Sequence, residues 1–151
     1  MRYLLDTNIL LICLRGGKLY DQIEAELGLT NPTTMLFVSA VSKGELIALA
    51  IRNRWGQNRL DKLNRLLNQI ILLDISAADQ ILFDTYAEID CYSQNQLPAR
   101  SLPVGRSARK MGKNDLWIAA TAQLIGATLV TTDGDFENLK DVYLPVQLYI
   151  P

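Results

Sequence analysis

Short apolar runs alternate with helical spacings along this chain, and that alternation limits its fold more tightly than any other feature. Residues 3–5 form an apolar run that ends at Asp6 and reads as a buried strand. A helix over 9–14 follows and stops at Gly16-Gly17, and Leu19, Ile23 and Leu27 give 18–29 a helical face. After the break at Asn31-Pro32, residues 35–40 predict a second strand. Ser42-Lys43-Gly44-Glu45 has the pattern of a capping box and predicts a helix running to Arg54. Leu60, Leu63, Leu67 and Ile70 mark another helix, 71–75 a third strand, and Ser76 is expected to cap a helix ending at Ser93. Segment 97–105, with Pro98, Pro103 and Gly105, is the one long loop. Asn114 or Asp115 is expected to cap the next helix, whose Ala119, Ala120 and Ala122 permit close packing on a sheet. Residues 128–132 predict a fourth strand, Asp133-Gly134-Asp135 a turn, and 146–150 a final short strand. Such alternation implies an α/β fold: one domain over residues 1–151, with a central, mostly parallel sheet of four to five short strands flanked by helices on both faces.

Composition narrows the chemistry chiefly through an absence: the chain contains no histidine. That removes Ser-His-Asp and Cys-His nucleophilic systems, histidine acid–base nucleases and HExxH zinc enzymes. Hydrolysis by this chain must then use carboxylates, with a hard metal ion as their natural companion. Cys13 and Cys91 have no metal-binding spacing and make a weak case for a disulfide. Asp6 and Asn8 interrupt the apolar start, so it does not read as a signal peptide, and no run approaches the ~20 apolar residues of a membrane helix. The expected location is cytoplasmic.

The net charge of −1 argues against a polyanion partner, but its distribution does not. No acid falls between Asp90 and Asp115, whereas Arg100, Arg106, Arg109, Lys110 and Lys113 all do. A second basic stretch, Arg52, Arg54, Arg59, Lys62 and Arg65, contains only Asp61 as an opposing charge. Local fields, not net charge, steer a polyanion. The plainer reading of both stretches is a pair of solvated helix faces.

Open parallel sheets bind ligands beyond the carboxyl ends of their strands. Asp6 ends the first strand, Asp133 follows the fourth, and Glu45 and Asp115 are expected in the first turns of two helices. If the first and fourth strands are neighbours, these four acids meet in one pocket. Packed carboxylates raise one another's pKa unless a cation joins them, and Mg²⁺ or Mn²⁺ prefers such oxygen ligands. Each acid also has a plainer role: Glu45 in a capping box with Ser42, Asp115 at a helix N-terminus, Asp133 and Asp135 in a turn around Gly134. Asp6 is harder to explain as a cap, because Thr7 or Asn8 can already serve that helix.

Taken in order, these segments resemble a PIN domain of the VapC-like group. Tyr3-Leu4-Leu5-Asp6-Thr7-Asn8 matches the opening strand and Asp-Thr/Ser-Asn motif, and Val38 to Leu46, ending Gly44-Glu45-Leu46, resembles the second motif. Asn114-Asp115-Leu116-Trp117 resembles the third, and Thr131-Thr132-Asp133-Gly134-Asp135-Phe136 the fourth. The resemblance spans nearly the whole chain. It implies a Mg²⁺- or Mn²⁺-dependent ribonuclease with Asp6, Glu45, Asp115 and Asp133 as the acidic set and Asp135 as an auxiliary. It also implies that Thr7, and with it Asn8, supports Asp6, Thr7 by hydrogen bonding. Toxins of this group are usually dimeric and are neutralised by a small antitoxin. A PIN nuclease acting alone in RNA processing is the second reading of the same resemblance.

Segment 94–111 departs from the common pattern, being longer and richer in proline and arginine. Within and beside it, Arg106, Arg109, Lys110 and Lys113 are the candidates for RNA phosphate contacts. Trp117 reads as a core-side aromatic, not a base-stacking platform. Two rivals remain at this stage. A phosphatase using Asp6 as nucleophile needs a second aspartate two residues on, where this chain has Asn8. A phospho-receiver module needs a paired acid near the first strand and a late lysine, neither of which is convincing here.

Overall fold

A computed structural model describes residues 1–151 and shows a five-stranded, wholly parallel sheet in the order β3-β2-β1-β4-β5. The strands are β1 (Arg2–Leu5), β2 (Met35–Ser39), β3 (Ile71–Leu73), β4 (Thr128–Thr131) and β5 (Val146–Leu148). The helices are α1 (Thr7–Arg15), α2 (Lys18–Leu27), α3 (Ala40–Arg52), α4 (Gln57–Leu67), α5 (Gln80–Ser93) and α6 (Lys113–Leu124), with a short 3₁₀ helix over Gly134–Leu139.

The pleat explains why the central strands are apolar throughout. Alternate residues of a strand point to opposite faces. Leu4, Phe37 and Leu129 therefore join one core with side chains of α5 and α6, including Leu82, Ile89 and Ala119. Tyr3, Leu5, Val38 and Val130 join a second core with Ile9, Ile23, Leu46 and Leu63 from α1–α4. Both faces of the sheet are covered, as the alternation predicts, and the buried alanines of α6 are part of that covering. Trp117 packs against Phe83 and Tyr86 of α5, at ring separations of 5.7 and 4.2 Å, so its role is structural. Cys13 and Cys91 are free thiols. No helix is long and apolar enough to cross a membrane.

Several boundaries differ from the sequence reading, for a shared reason. The cap of α3 lies three residues before the expected one: Ser39, not Ser42, accepts from the Val41 amide. Ser42 is then buried inside the helix and its hydroxyl has no partner. α5 starts later than expected, because Asp79, not Ser76, accepts from the Leu82 amide. Where several capping residues lie close together, the end of the preceding strand or loop decides which is used. α6 is capped by Gly112 with no side-chain bond, which puts both Asn114 and Asp115 in its first turn. Asp133 caps the 3₁₀ helix through its bond from the Asp135 amide, so the expected turn is a helix start.

The loop between α5 and α6 is longer than the 97–105 read from its prolines, with no regular element from Gln94 to Gly112. It is nevertheless pinned. The Arg109 amide donates to the Ser93 carbonyl at 2.7 Å, Asn138 Nδ2 donates to the Ser107 carbonyl at 2.9 Å, and Met111 is buried.

Candidate active site

The strand order places a topological switch between β1 and β4. From β1 the chain proceeds to one side through β2 and β3, then returns to the other through β4 and β5. Crevices at such points are where open α/β sheets bind ligands. Leu5 pairs with Val130, and the Asp6 amide extends the ladder with a 3.0 Å bond to the Val130 carbonyl. The Asp6 backbone is thus set by the sheet. Its carboxylate is set as well: Oδ1 accepts from the Thr7 amide at 2.6 Å, and Oδ2 accepts from the Thr131 hydroxyl at 2.7 Å. Asp6 does cap α1, contrary to the expectation that Thr7 or Asn8 takes that place. The Thr131 hydroxyl also accepts from the Asp133 amide at 3.0 Å, so one buried side chain ties both strand-end acids together.

The helix-borne acids arrive differently. Glu45 lies in the second turn of α3, not the first, so it brings no free helix-end amides with it. Its Oε2 accepts from the Thr7 hydroxyl and its Oε1 accepts from Asn114 Nδ2 at 2.6 Å. Thr7 therefore supports Asp6 through its amide, while its hydroxyl serves Glu45. The Asp115 carboxylate accepts no hydrogen bond. Its Oδ2 lies over Gly112, so closely that a Cβ on that residue would stand 2.6 Å away.

Asp6, Glu45, Asp115 and Asp133 line a single open cleft of about 260 Å³, together with Thr7, Asn8, Leu49 and Arg52. Their electrostatics show the strain of that meeting. The Asp115 carboxyl is pushed up to about 6, first by desolvation and then by the charges of Asp6, Asp133, Glu45 and Asp135. Burial also raises Asp6, partly offset by the hydrogen bonds from Thr131 and Thr7 and reinforced by the charges of Glu45 and Asp133. The side chains as they stand do not close into a cage of three acids. Asp6 and Glu45 are held by neighbouring donors instead. An open wall of carboxylates suits Mg²⁺ better than a closed cage does, because that ion usually keeps several waters and takes only one or two protein carboxylates. The donors, all oxygen, are of the chemical kind that a hard divalent cation takes.

Asp135 does not join the cleft; it forms an ion pair with Arg109 at 2.7 Å, both side chains being about half exposed. Arg106, Lys110 and Lys113 are exposed and form no ion pair, since Arg109–Asp135 is the only one in the chain. Sequence reasoning missed three contributors. Thr131 and Asn114 hold the acids, and Arg52 is the one cation lining the cleft. Arg52 was legible in principle: Glu45, Leu49 and Arg52 stand at i, i+4 and i+7, one face of a helix.

A parallel sheet with acids gathered at its switch point restricts the cleft's chemistry to carboxylates, since no histidine or thiol enters it. The chain belongs to the PIN domain family, whose model matches residues 3–142, and members of that family are nucleases. This membership displaces the phosphatase and phospho-receiver alternatives. The fold is VapC-like. It is similar to the VapBC2 complex of Rickettsia felis solved with a promoter DNA fragment, at 23% identity, 99% coverage of both chains and a TM-score of 0.72. VapBC-1 from nontypeable Haemophilus influenzae is 25% identical over 98% of both chains, with a TM-score of 0.67. A toxin–antitoxin complex from Klebsiella pneumoniae is 22% identical over 99% of both chains, with a TM-score of 0.63. No curated protein sequence matches the chain at a significant level.

Proposed function

We propose that this chain is a Mg²⁺- or Mn²⁺-dependent endoribonuclease with Asp6, Glu45, Asp115 and Asp133 as its ion-binding and catalytic set. The observation that carries this reading is the meeting of four acids from four segments at the β1–β4 switch point of a PIN fold. A bound divalent ion supplies Lewis-acid polarisation of the phosphodiester and a more acidic water. The protein's part is positioning. Thr131 and the Thr7 amide fix Asp6, while Thr7 and Asn114 draw Glu45 over the cleft. Arg52, from the cleft wall, offers a guanidinium to a phosphate oxygen, which suits its planar fork of donors. Arg106, Lys110 and Lys113 extend that positive rim. Asp135, expected as an auxiliary to the acidic set, is paired with Arg109 and stands outside the proposed ion-binding four.

The similarity to VapBC complexes supports a toxin restrained by a small antitoxin; a homodimer acting in the cytoplasm is the remaining part of the proposal. An apolar groove between α3 and α4, lined by Ile47, Ile51, Trp55 and Leu60, supports a protein partner, for Ile51 is 73% exposed. A short DNA-binding protein encoded beside this chain is the expected antitoxin. Its absence favours the stand-alone RNA-processing reading and leaves the nuclease reading untouched.

The decisive variant is Asp6→Asn, which keeps the volume and the hydrogen-bonding reach while removing the charge. Its metal-dependent RNA cleavage should be lost, with circular dichroism unchanged. Cleavage persisting at the wild-type rate removes Asp6 from the site.

A further inference from the structure

A groove on the α1–α4 side of the molecule gathers four cations and no acid. Arg15, Lys62 and Arg65 line a cavity of about 410 Å³. Arg15, Lys62 and Arg59 line an adjoining one of about 340 Å³. None of the four belongs to an ion pair, and the nearest acid in sequence, Asp61, accepts from Gln57 at 2.8 Å. Helix dipoles account for part of this arrangement only. Arg15 and Arg65 sit in the last turns of α1 and α4, where a cation is favoured. Arg59 sits in the first turn of α4, where it is disfavoured, and its guanidinium is laid over the Trp55 ring at 3.8 Å. Four unpaired like charges around one groove repel one another until a polyanion enters.

α1 connects this groove to the acid cleft. Thr7 and Asn8 at its start line the cleft, and Leu14 and Arg15 at its end line the groove. The two lie about 12 Å apart along the helix axis at ~1.5 Å per residue. The acid cleft alone is a poor place to hold an RNA strand, because its carboxylates repel phosphates wherever no cation screens them.

We infer that the Arg15–Arg59–Lys62–Arg65 groove is a second RNA-binding site, which grips the phosphodiester backbone away from the cleavage point. The groove binds a polyanion by its own chemistry; that the polyanion is RNA rests on the nuclease reading. The groove gives the chain a footprint of several nucleotides, distinct from the rim of Arg106, Lys110 and Lys113. It also makes affinity depend on RNA length, since a fragment filling only the cleft does not reach it.

The test is binding of fluorescent single-stranded RNA to the full-length chain in EDTA, so that no strand is cut. Two lengths are compared, about 20 and about 5 nucleotides, bracketing the usual footprint of a charged groove. The double variant Lys62→Glu/Arg65→Glu should bind the longer RNA about 10-fold or more weakly. Its log–log salt slope should be shallower by about 1.4, at ~0.7 for each phosphate that the variant no longer neutralises. Lys62→Arg/Arg65→Lys should restore both. An unchanged affinity and slope for the longer RNA overturns the inference. Polyglutamate of matched charge competing as well as RNA overturns the assignment to RNA. If the reversal variant does not fold, Lys62→Gln/Arg65→Gln gives up the same two phosphate contacts and should give about the same slope change. Metal-dependent cleavage by the wild-type chain, measured on the same RNA, decides the nuclease reading by itself, so that failure of one is not mistaken for failure of the other.

Discussion

The acids carried by strands and those carried by helices reach the same cleft under different restraint. Asp6 is 5% exposed, its amide continues the β1–β4 ladder, and both carboxylate oxygens accept hydrogen bonds. Asp133 is tied by its amide to Thr131 and by its carboxylate to the Asp135 amide. Glu45 and Asp115 stand on helix turns facing the sheet edge. Only other side chains hold the first, and nothing holds the second. The contrast amounts to a division of labour. The sheet holds one pair of acids through backbone and buried hydrogen bonds, and the helices bring a second pair under fewer restraints, free to adjust to the proposed ion.

The largest effect that can break this division lies at Thr131. Thr131→Val keeps the shape but removes the hydroxyl shared by Asp6 and Asp133. Metal-dependent cleavage should fall roughly 10–100-fold, the usual result of losing an outer-shell partner. The fold should lose about 1–3 kcal/mol, because a buried carboxylate oxygen loses its donor. Near-wild-type cleavage would mean that the strand backbone and the Thr7 amide suffice to position Asp6. Steady-state kinetics and urea denaturation measure the two effects.

A smaller effect is expected at Gly112. Its backbone is extended at φ −62°, ψ 148°, so alanine is tolerated locally, but the new methyl displaces the Asp115 carboxylate. Because the displaced atom is a side-chain tip, stability should hardly change. Cleavage should drop on the order of 10-fold, and the apparent Mn²⁺ affinity should weaken with it. Full activity in Gly112→Ala would show that Asp115 can adjust even further than its present lack of partners implies.

The smallest effect is one of pH. The Asp115 carboxyl ionises near 6 in the folded chain against 3.8 for the ordinary group. Between those values the folded chain keeps a proton that the unfolded chain has released, so stability declines as pH rises through that window and stays lower above it. Asp115→Asn should therefore raise Tm by a few degrees near neutral pH and leave it unchanged below the window. Mn²⁺ should raise the wild-type Tm more near neutral pH than below the window, since an ion offsets the same repulsion. A thermal-shift series across pH measures both, and a pH-independent gain would detach the stability cost from Asp115.

Much of the site was legible because it follows from local pattern. Asp6 ends an apolar run whose alternate residues Tyr3, Leu4 and Leu5 serve two cores, and no reading of 3–5 puts it elsewhere. The sequence pattern puts Glu45 on the right helix but in the wrong turn, since Ser39 and Ser42 are both good caps and only the end of β2 chooses between them. Thr131 looks like one more β-branched strand residue, because its bond to Asp6 spans 125 positions of sequence. Asp135 reads as an auxiliary ligand, yet Arg109 from the α5–α6 loop claims it first. Loops of that kind carry no periodicity from which their neighbours can be read.

By itself the sequence determined the alternation of strands and helices, the apolar faces that make two cores, and a chemistry restricted to carboxylates by the lack of histidine. Tertiary structure alone decided that β1 lies beside β4, that Thr131 clasps both strand-end acids, and that Arg52 enters the cleft. The reason is the range of the forces involved. Propensity, capping and pleat act over a few residues, whereas strand order is settled only when whole apolar faces are buried against one another, offsetting the entropy of closing long loops.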